Sequence, residues 1–108
     1  MPDTLLVLGQ SYPIAATLTT LYTAPARTTV SSITVCNQSA SLTSNIRISI
    51  AIANAADTAA QYIIYDALLQ ANESRAFVIG ITMANTDVIR VQSSSGTVSF
   101  QAFGVQIT

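Results

Sequence analysis

The sequence predicts an all-β protein: a single-domain antiparallel β-sandwich of about seven strands with an extended N-terminal arm. Ile, Val and Thr, which favour strands, recur in short runs along the chain. Asn, Asp, Ser, Gly and Pro separate these runs at intervals of roughly 8–12 residues, a spacing typical of sandwiches. A chain of 108 residues also has room for one hydrophobic core and not for two.

The clearest strand pattern covers residues 45–53. Isoleucine alternates there with small or polar residues, which indicates a strand buried on one face, formed by Ile46, Ile48, Ile50 and Ile52. Residues 28–37 predict another strand, with Ile33 and Val35 on one face and Val30 on the opposite face. The remaining runs predict strands at 14–22, 61–66, 75–83, 87–93 and 97–107.

Turn residues near the C-terminus predict how the last strands connect. The segments 85–87 and 93–96 have the Asn, Asp, Ser and Gly content of hairpin turns, which would make the last three strands a meander. In the final strand the apolar positions change parity between Phe100 and Phe103, close to Gly104, so a bulge or a change of sheet is expected. The alanine-rich segment 53–61 is expected to form a short helical turn or a surface loop.

The N-terminal segment is treated as a unit of its own: 1–13 as an arm and 14–108 as the sandwich domain. A short apolar run precedes Gly9 and Pro13, two residues that can detach it from the sheet that follows. Two alternatives stay open, an arm that adds to the sheet edge of a neighbouring subunit and a first core strand. In the first alternative the interface residues are Thr4, Leu5, Leu6, Val7 and Leu8.

The charge content argues against a nucleic-acid partner, and the apolar runs argue against a membrane partner. Only 8% of the residues are charged, the net charge is −1, and the basic residues are four arginines, with no lysine. Because affinity for nucleic acids depends on many cations that displace counterions, Arg27, Arg47, Arg75 and Arg90 predict no nucleic-acid partner. No apolar run has the length of a membrane-spanning helix, and the first ten residues match no targeting signal, so we expect no membrane partner and synthesis in the cytoplasm.

Few side chains in this sequence suit catalysis, because it has no histidine and no lysine. Cys36 is the single cysteine, and transition-metal sites need clustered Cys or His. We therefore expect no enzymatic activity and no catalytic, cofactor-binding or metal-binding residues. The carboxylates that could in principle form acid–base pairs are Asp3, Asp57, Asp66, Glu73 and Asp87. The last four fall in or beside predicted turns and are interpreted as groups that solvate loops or cap the backbone.

Tyrosines raise the alternative of a glycan-binding module, because their rings can stack on sugars. The four are Tyr12, Tyr22, Tyr62 and Tyr65. Simple alternation puts Tyr62 and Tyr65 on opposite faces of one strand, which argues against a shared platform. Roles in the core and in interfaces are therefore favoured for them.

The segment 21–39, LYTAPARTTVSSITVCNQS, has a Leu-Tyr-Thr-x-Pro entry that leads into a Ser-Ser-Ile-x-Val-Cys-Asn strand. It is the first of three segments that resemble those of small bacteriophage virion structural proteins. QYIIYDALLQANES (61–74) is similar to a tyrosine-rich strand and its Asn-centred turn, and GITMANTDVIRVQSSSGTVSFQAFG (80–104) to the closing strands of that group.

The resemblance implies a non-enzymatic virion subunit, foremost a capsid cement or decoration protein that stabilises the shell through its interfaces. Its implied partners are the major capsid protein or other virion subunits, including further copies of itself. A tail- or neck-associated structural role, or a host-glycan-binding role, is the alternative.

Overall fold

The computed structural model describes residues 3–107, which form nine β-strands and two short 3₁₀ turns. Within these residues no helix is long and apolar enough to cross a bilayer. The strands are β1 (Asp3–Ser11), β2 (Thr19–Thr23), β3 (Thr28–Asn37), β4 (Ser44–Ala51), β5 (Tyr62–Leu69), β6 (Ser74–Phe77), β7 (Ile81–Met83), β8 (Val88–Ser93) and β9 (Val98–Ile107). The 3₁₀ turns are Ile52–Asn54 and Ala59–Gln61.

Two antiparallel sheets pack face to face. Sheet A has the order β1-β9-β3-β6, with β7 also paired to β3, and sheet B has the order β2-β8-β4-β5. The chain crosses between the sheets at every connection except β4 to β5 and β6 to β7. The first strand, β1, pairs with the last, β9, and β2 pairs with β8. This is the jelly-roll arrangement of a β-sandwich.

The predicted all-β sandwich is confirmed, with nine strands where about seven are expected from the spacing. Most of the difference comes from two places. The predicted strand 75–83 divides into β6 and β7 around Gly80, and the exposed Val78 lies between them. The segment 3–11 adds a further strand of its own.

The segment predicted as an arm, 1–13, forms the edge strand of the chain's own sheet A over most of its length. β1 pairs with β9 from Asp3 opposite Ile107 to Ser11 opposite Phe100, and a bulge at Leu8 interrupts the register. This is the first-strand alternative of the two left open by the sequence. Met1 and Pro2 lie outside the described residues. The other edge of β1 pairs with no strand of residues 3–107.

The predicted C-terminal meander is wrong. β7 lies in sheet A, β8 in sheet B and β9 in sheet A, so neither turn joins neighbouring strands. At the first turn, the Asp87 carboxylate accepts a hydrogen bond from the Ala84 amide (3.0 Å) and the Thr86 amide donates to the Ala24 carbonyl (2.8 Å). These bonds stabilise a corner that passes the chain across the sandwich.

The change of parity in the last strand has a different cause from the one predicted. β9 itself alternates regularly, with Val98, Phe100 and Ala102 buried, while its neighbours β1 and β3 carry the bulges, at Leu8 and at Ser31. The bulge at Ser31 also places Val30 on the buried face with Ile33 and Val35, so the prediction of opposite faces is wrong.

The core lies between the sheets and consists of aliphatic side chains around Phe100. Its largest fully buried members are Phe100, Ile33, Ile46, Ile48, Leu69, Met83, Ile89, Val30, Val35, Val88, Val91 and Val98. The isoleucine face predicted for β4 is confirmed at Ile46 and Ile48, whereas Ile52 has left the strand and is 73% exposed. This core fixes which residues of each strand face outward.

Candidate functional site

The outer face of sheet A extends across all the strands of the sheet, and its described side chains are uncharged. Alternation in the paired strands places the following side chains on it: Val7, Gln10, Thr29, Ser32, Thr34, Cys36, Ser74, Ala76, Thr82, Ser99, Gln101, Phe103 and Val105. None of these described side chains is charged. Val7 is 48% exposed and lies opposite Phe103, so the surface has apolar groups as well as the hydroxyl groups of its Ser and Thr residues.

A concavity of about 400 Å³ lies at one end of this face. It is lined by Gln10, Ser11, Tyr12, Gln38, Ser99, Phe100 and Gln101. Its polar groups are amides and hydroxyls, which both donate and accept hydrogen bonds. The concavity therefore offers hydrogen-bond donors and acceptors, and none of its lining residues is charged.

The outer face of sheet B differs, because it carries a cluster of charged and aromatic side chains. Arg47 of β4 lies at its centre, and β5 contributes Tyr62, Tyr65 and Asp66. Two bulges in β5, at Ile63 and Asp66, change the parity of that strand. Because the bulge at Ile63 lies between them, Tyr62 pairs with Ser49 and Tyr65 with Arg47 on the same face, and the prediction that the two tyrosines lie on opposite faces is wrong.

The two tyrosine rings meet at a right angle. Their centroids are 5.2 Å apart and their planes are inclined by 85°, an edge-to-face arrangement favoured by the ring quadrupoles. Tyr65 is 61% exposed, so much of its ring faces solvent. Burial raises the pKa of Tyr62, and so does the hydrogen bond that its hydroxyl donates to the Asp57 carboxylate (3.1 Å).

Arg47 is held on two sides. Its Nε and Nη2 donate to the two carboxylate oxygens of Asp66 at 2.6 and 3.2 Å, and its guanidinium carbon lies 4.2 Å from the centre of the Tyr65 ring. The hydrogen bond from Arg47 lowers the pKa of Asp66. Asp66 is therefore an ionised acceptor near neutral pH, and a carboxylate in that state is a poor proton donor.

The segment 52–61 closes one side of the cluster. It folds back over sheet B, where the Arg90 guanidinium donates to the Ala55 carbonyl (2.9 Å) and to Asn54 Oδ1 (2.8 Å). Asp57, Thr58 and Ala59 of this segment then line a cavity of about 520 Å³ together with Arg47, Tyr62 and Tyr65. The segment forms two 3₁₀ turns, in agreement with the prediction of a short helical turn or loop.

A second concavity of about 250 Å³ adjoins the first and shares Arg47 with it. Asp66, Asn45, Gln92 and Ser94 are among its lining residues. We call these two concavities, which share Arg47 in their lining, the Arg47 groove.

The other carboxylates with described side chains have structural contacts. Glu73 accepts from the Gln70 amide (2.7 Å) and from Arg75 (3.0 Å), and these two bonds, the first above all, lower its pKa. Asp87 accepts from the amides of Ala53 and Ala84. Across residues 3–107 no group of three or more His, Cys, Asp or Glu residues is placed to hold a metal ion.

The predicted interface residues Thr4, Leu5, Leu6, Val7 and Leu8 all lie in β1. Val7 faces outward, whereas Leu8 packs against the core. The sequence did not predict Arg47 as a site residue. The departure of QYIIYD from regular alternation is the available signal for the bulges that create its groove.

Fold and surface together define a class: a small jelly-roll sandwich with one face whose described side chains are uncharged and one face that carries aromatic rings and an ion pair. A scan against protein-family models finds no match, and searches of curated proteins and of solved structures find none.

Proposed function

We propose that this chain is a non-enzymatic virion structural subunit, foremost a capsid cement or decoration protein, that stabilises the shell through contacts with neighbouring subunits. The single observation that carries the proposal is the lack of charge among the described side chains on the outer face of sheet A. Interface centres are depleted of charge, since a charge buried without a partner costs several kcal/mol. A sheet face of hydroxyl, amide and apolar groups avoids that cost.

Two further observations support an assembly role. The jelly roll is an architecture that viral capsid domains use, although a fold alone does not specify a function. The free edge of β1, which includes Thr4 to Leu8, offers backbone groups to a strand from a further copy or a capsid subunit.

The mechanism is mass action through buried area. A subunit that binds the assembled shell and not its separated components stabilises the shell in proportion to its occupancy. A specific contact of this kind buries more than about 1,000 Å² in total. No reactive group is required of the chain.

The proposal is tested on purified particles of the virus that encodes this chain. We expect mass spectrometry to find the chain in a fixed ratio to the major capsid protein, and electron cryomicroscopy to show the outer face of sheet A against a neighbour. A chain absent from purified particles would contradict the proposal.

A matched pair of variants tests the surface. Thr34 lies in the middle of sheet A, opposite Gln101 and Ala76, so Thr34→Lys should weaken attachment about 100-fold or more by burying an unpaired charge. Thr20→Lys places the same charge at an exposed position of β2 in sheet B and should attach normally. Equal attachment of both variants would show that sheet A is not the interface.

A further inference from the structure

The Arg47 groove lies on the opposite sheet from the proposed interface, and its chemistry indicates a ligand. We propose that it binds a neutral oligosaccharide. This inference does not depend on the assembly role, because it rests on sheet B alone.

The tyrosines supply the apolar walls of the groove. Since Tyr62 and Tyr65 stand at 85° to one another with centroids 5.2 Å apart, they form a corner and not a flat surface. The C–H face of a pyranose is apolar and packs against such rings. The cavity at this corner, about 520 Å³, falls within the range of small-molecule sites.

Hydrogen-bonding groups of both kinds surround this corner. The Arg47 guanidinium has five N–H donors, of which Asp66 engages those on two of its nitrogens. Asp57 receives the Tyr62 hydroxyl on Oδ2, and Oδ1 has no donor among the described residues. Sugar hydroxyls donate and accept, so they match a remaining Arg47 donor and a free Asp57 acceptor.

The charges favour a neutral ligand over an ionic one. Among the residues that line the groove, Arg47 is paired with Asp66 and Asp57 adds a further negative charge, so an anion would find no unpaired cation there. A cation beside the Tyr65 ring would lie close to the Arg47 guanidinium, which is 4.2 Å from the ring centre, and like charges repel. A neutral sugar is not repelled, and it would pack on the ring surface that Arg47 leaves free, since Tyr65 is 61% exposed.

The shape of the groove favours a chain of sugars. Arg47 separates the tyrosine cavity from the polar concavity lined by Asn45 and Gln92, so a second sugar ring would lie across Arg47. Amide side chains in that concavity provide further donors and acceptors for its hydroxyls.

The test is a titration of the full chain with defined sugars, followed by amide NMR shifts. The neutral probes are glucose, galactose, N-acetylglucosamine, cellobiose, lactose and chitotriose; sialyllactose and choline are the charged probes. We expect at least one neutral oligosaccharide to bind, to shift the amides of Thr58, Tyr62 and Tyr65, and to bind more tightly than its monosaccharide. Absence of binding by every neutral probe, or preference for a charged probe, would overturn the proposal. Equal affinity for monosaccharide and oligosaccharide would overturn the extended groove.

Variants distinguish sugar binding in the Arg47 groove from nonspecific binding to exposed tyrosines. Tyr65→Ala should weaken binding about tenfold, whereas Tyr65→Phe keeps the ring and should bind normally. Tyr12→Ala removes a tyrosine that is 55% exposed outside the groove and should have no effect. Tyr65 is exposed, so its variant should fold, which a native amide spectrum checks. Equal loss in Tyr65→Ala and Tyr12→Ala would overturn the site.

Discussion

Single residues decide how closely the strands of sheet A approach one another. A Cβ atom on Gly104 would lie 2.1 Å from the Thr29 carbonyl oxygen and 2.9 Å from Val30 Cα. Both are backbone atoms of β3, next to its bulge at Ser31, so they cannot rotate away as a side chain would. A side chain at position 104 is therefore excluded by the nearby backbone of β3. The backbone conformation of Gly104 does not itself require glycine, because its φ is not positive.

Gly104→Ala should lower the free energy of unfolding by about 1–3 kcal/mol, as overpacking does elsewhere. Gly80→Ala is the matched control, because no atom lies within 4 Å of the position its Cβ would take. Urea denaturation measures both. Equal stability of the two variants would show that β3 can shift away from β9 at little cost.

At the scale of elements, one buried carboxylate links the segment 52–61 to the corner before β8. Asp87 Oδ1 accepts from the Ala53 amide (2.9 Å) and Oδ2 from the Ala84 amide (3.0 Å). Ala53 and Asn54 have φ values of 53° and 59°, a region unfavourable for residues with a side chain. The bond that the Ala53 amide donates to Asp87 thus offsets part of the backbone strain in a segment that lines the Arg47 groove.

Asp87→Ala should destabilise the protein by about 1–2 kcal/mol, since it leaves two amides without their acceptor. Hydrogen exchange should become faster at Ala53 and Ala84. Asp87→Asn retains one acceptor oxygen and should fall between the variant and the parent. Unchanged protection of Ala53 in Asp87→Ala would contradict this account.

At the scale of the whole molecule, two carboxylates with lowered pKa values, Asp66 and Glu73, couple stability to acid pH. Folding lowers the pKa of Asp66 and of Glu73 below their ordinary values of 3.8 and 4.5. The folded chain therefore binds fewer protons than the unfolded chain in acid, so the stabilising effect is complete above these ordinary values. It is lost as the pH falls through the lowered values.

The double variant Asp66→Asn/Glu73→Gln should lose less stability than the parent when the pH is lowered from roughly 5 to 2. Urea midpoints across that range measure the effect. Because both pairs are exposed, roughly 1 M NaCl should reduce the difference between the two proteins. Parallel curves for variant and parent would show that other groups control the acid transition.

Local patterns in the sequence determined much of the fold. Strand formers, regular turn residues and the alternation in β4 predict an all-β sandwich, and β3 is predicted with its observed bounds, Thr28–Asn37. These features follow from side-chain burial on a pleated strand, which a short stretch of sequence encodes. The shortage of side chains suited to catalysis, which follows from the lack of histidine and lysine, likewise depends on composition alone.

Only the tertiary structure decided which strands are neighbours and where alternation breaks. The meander prediction failed because β7, β8 and β9 pair with strands distant in sequence, and local turn residues do not specify those partners. The Arg47 groove was missed because the bulge at Ile63 brings Tyr62 and Tyr65 to one face. A bulge arises when a strand accommodates an extra residue against a particular partner strand. Its position therefore depends on both strands, and the sequence of one strand does not specify it.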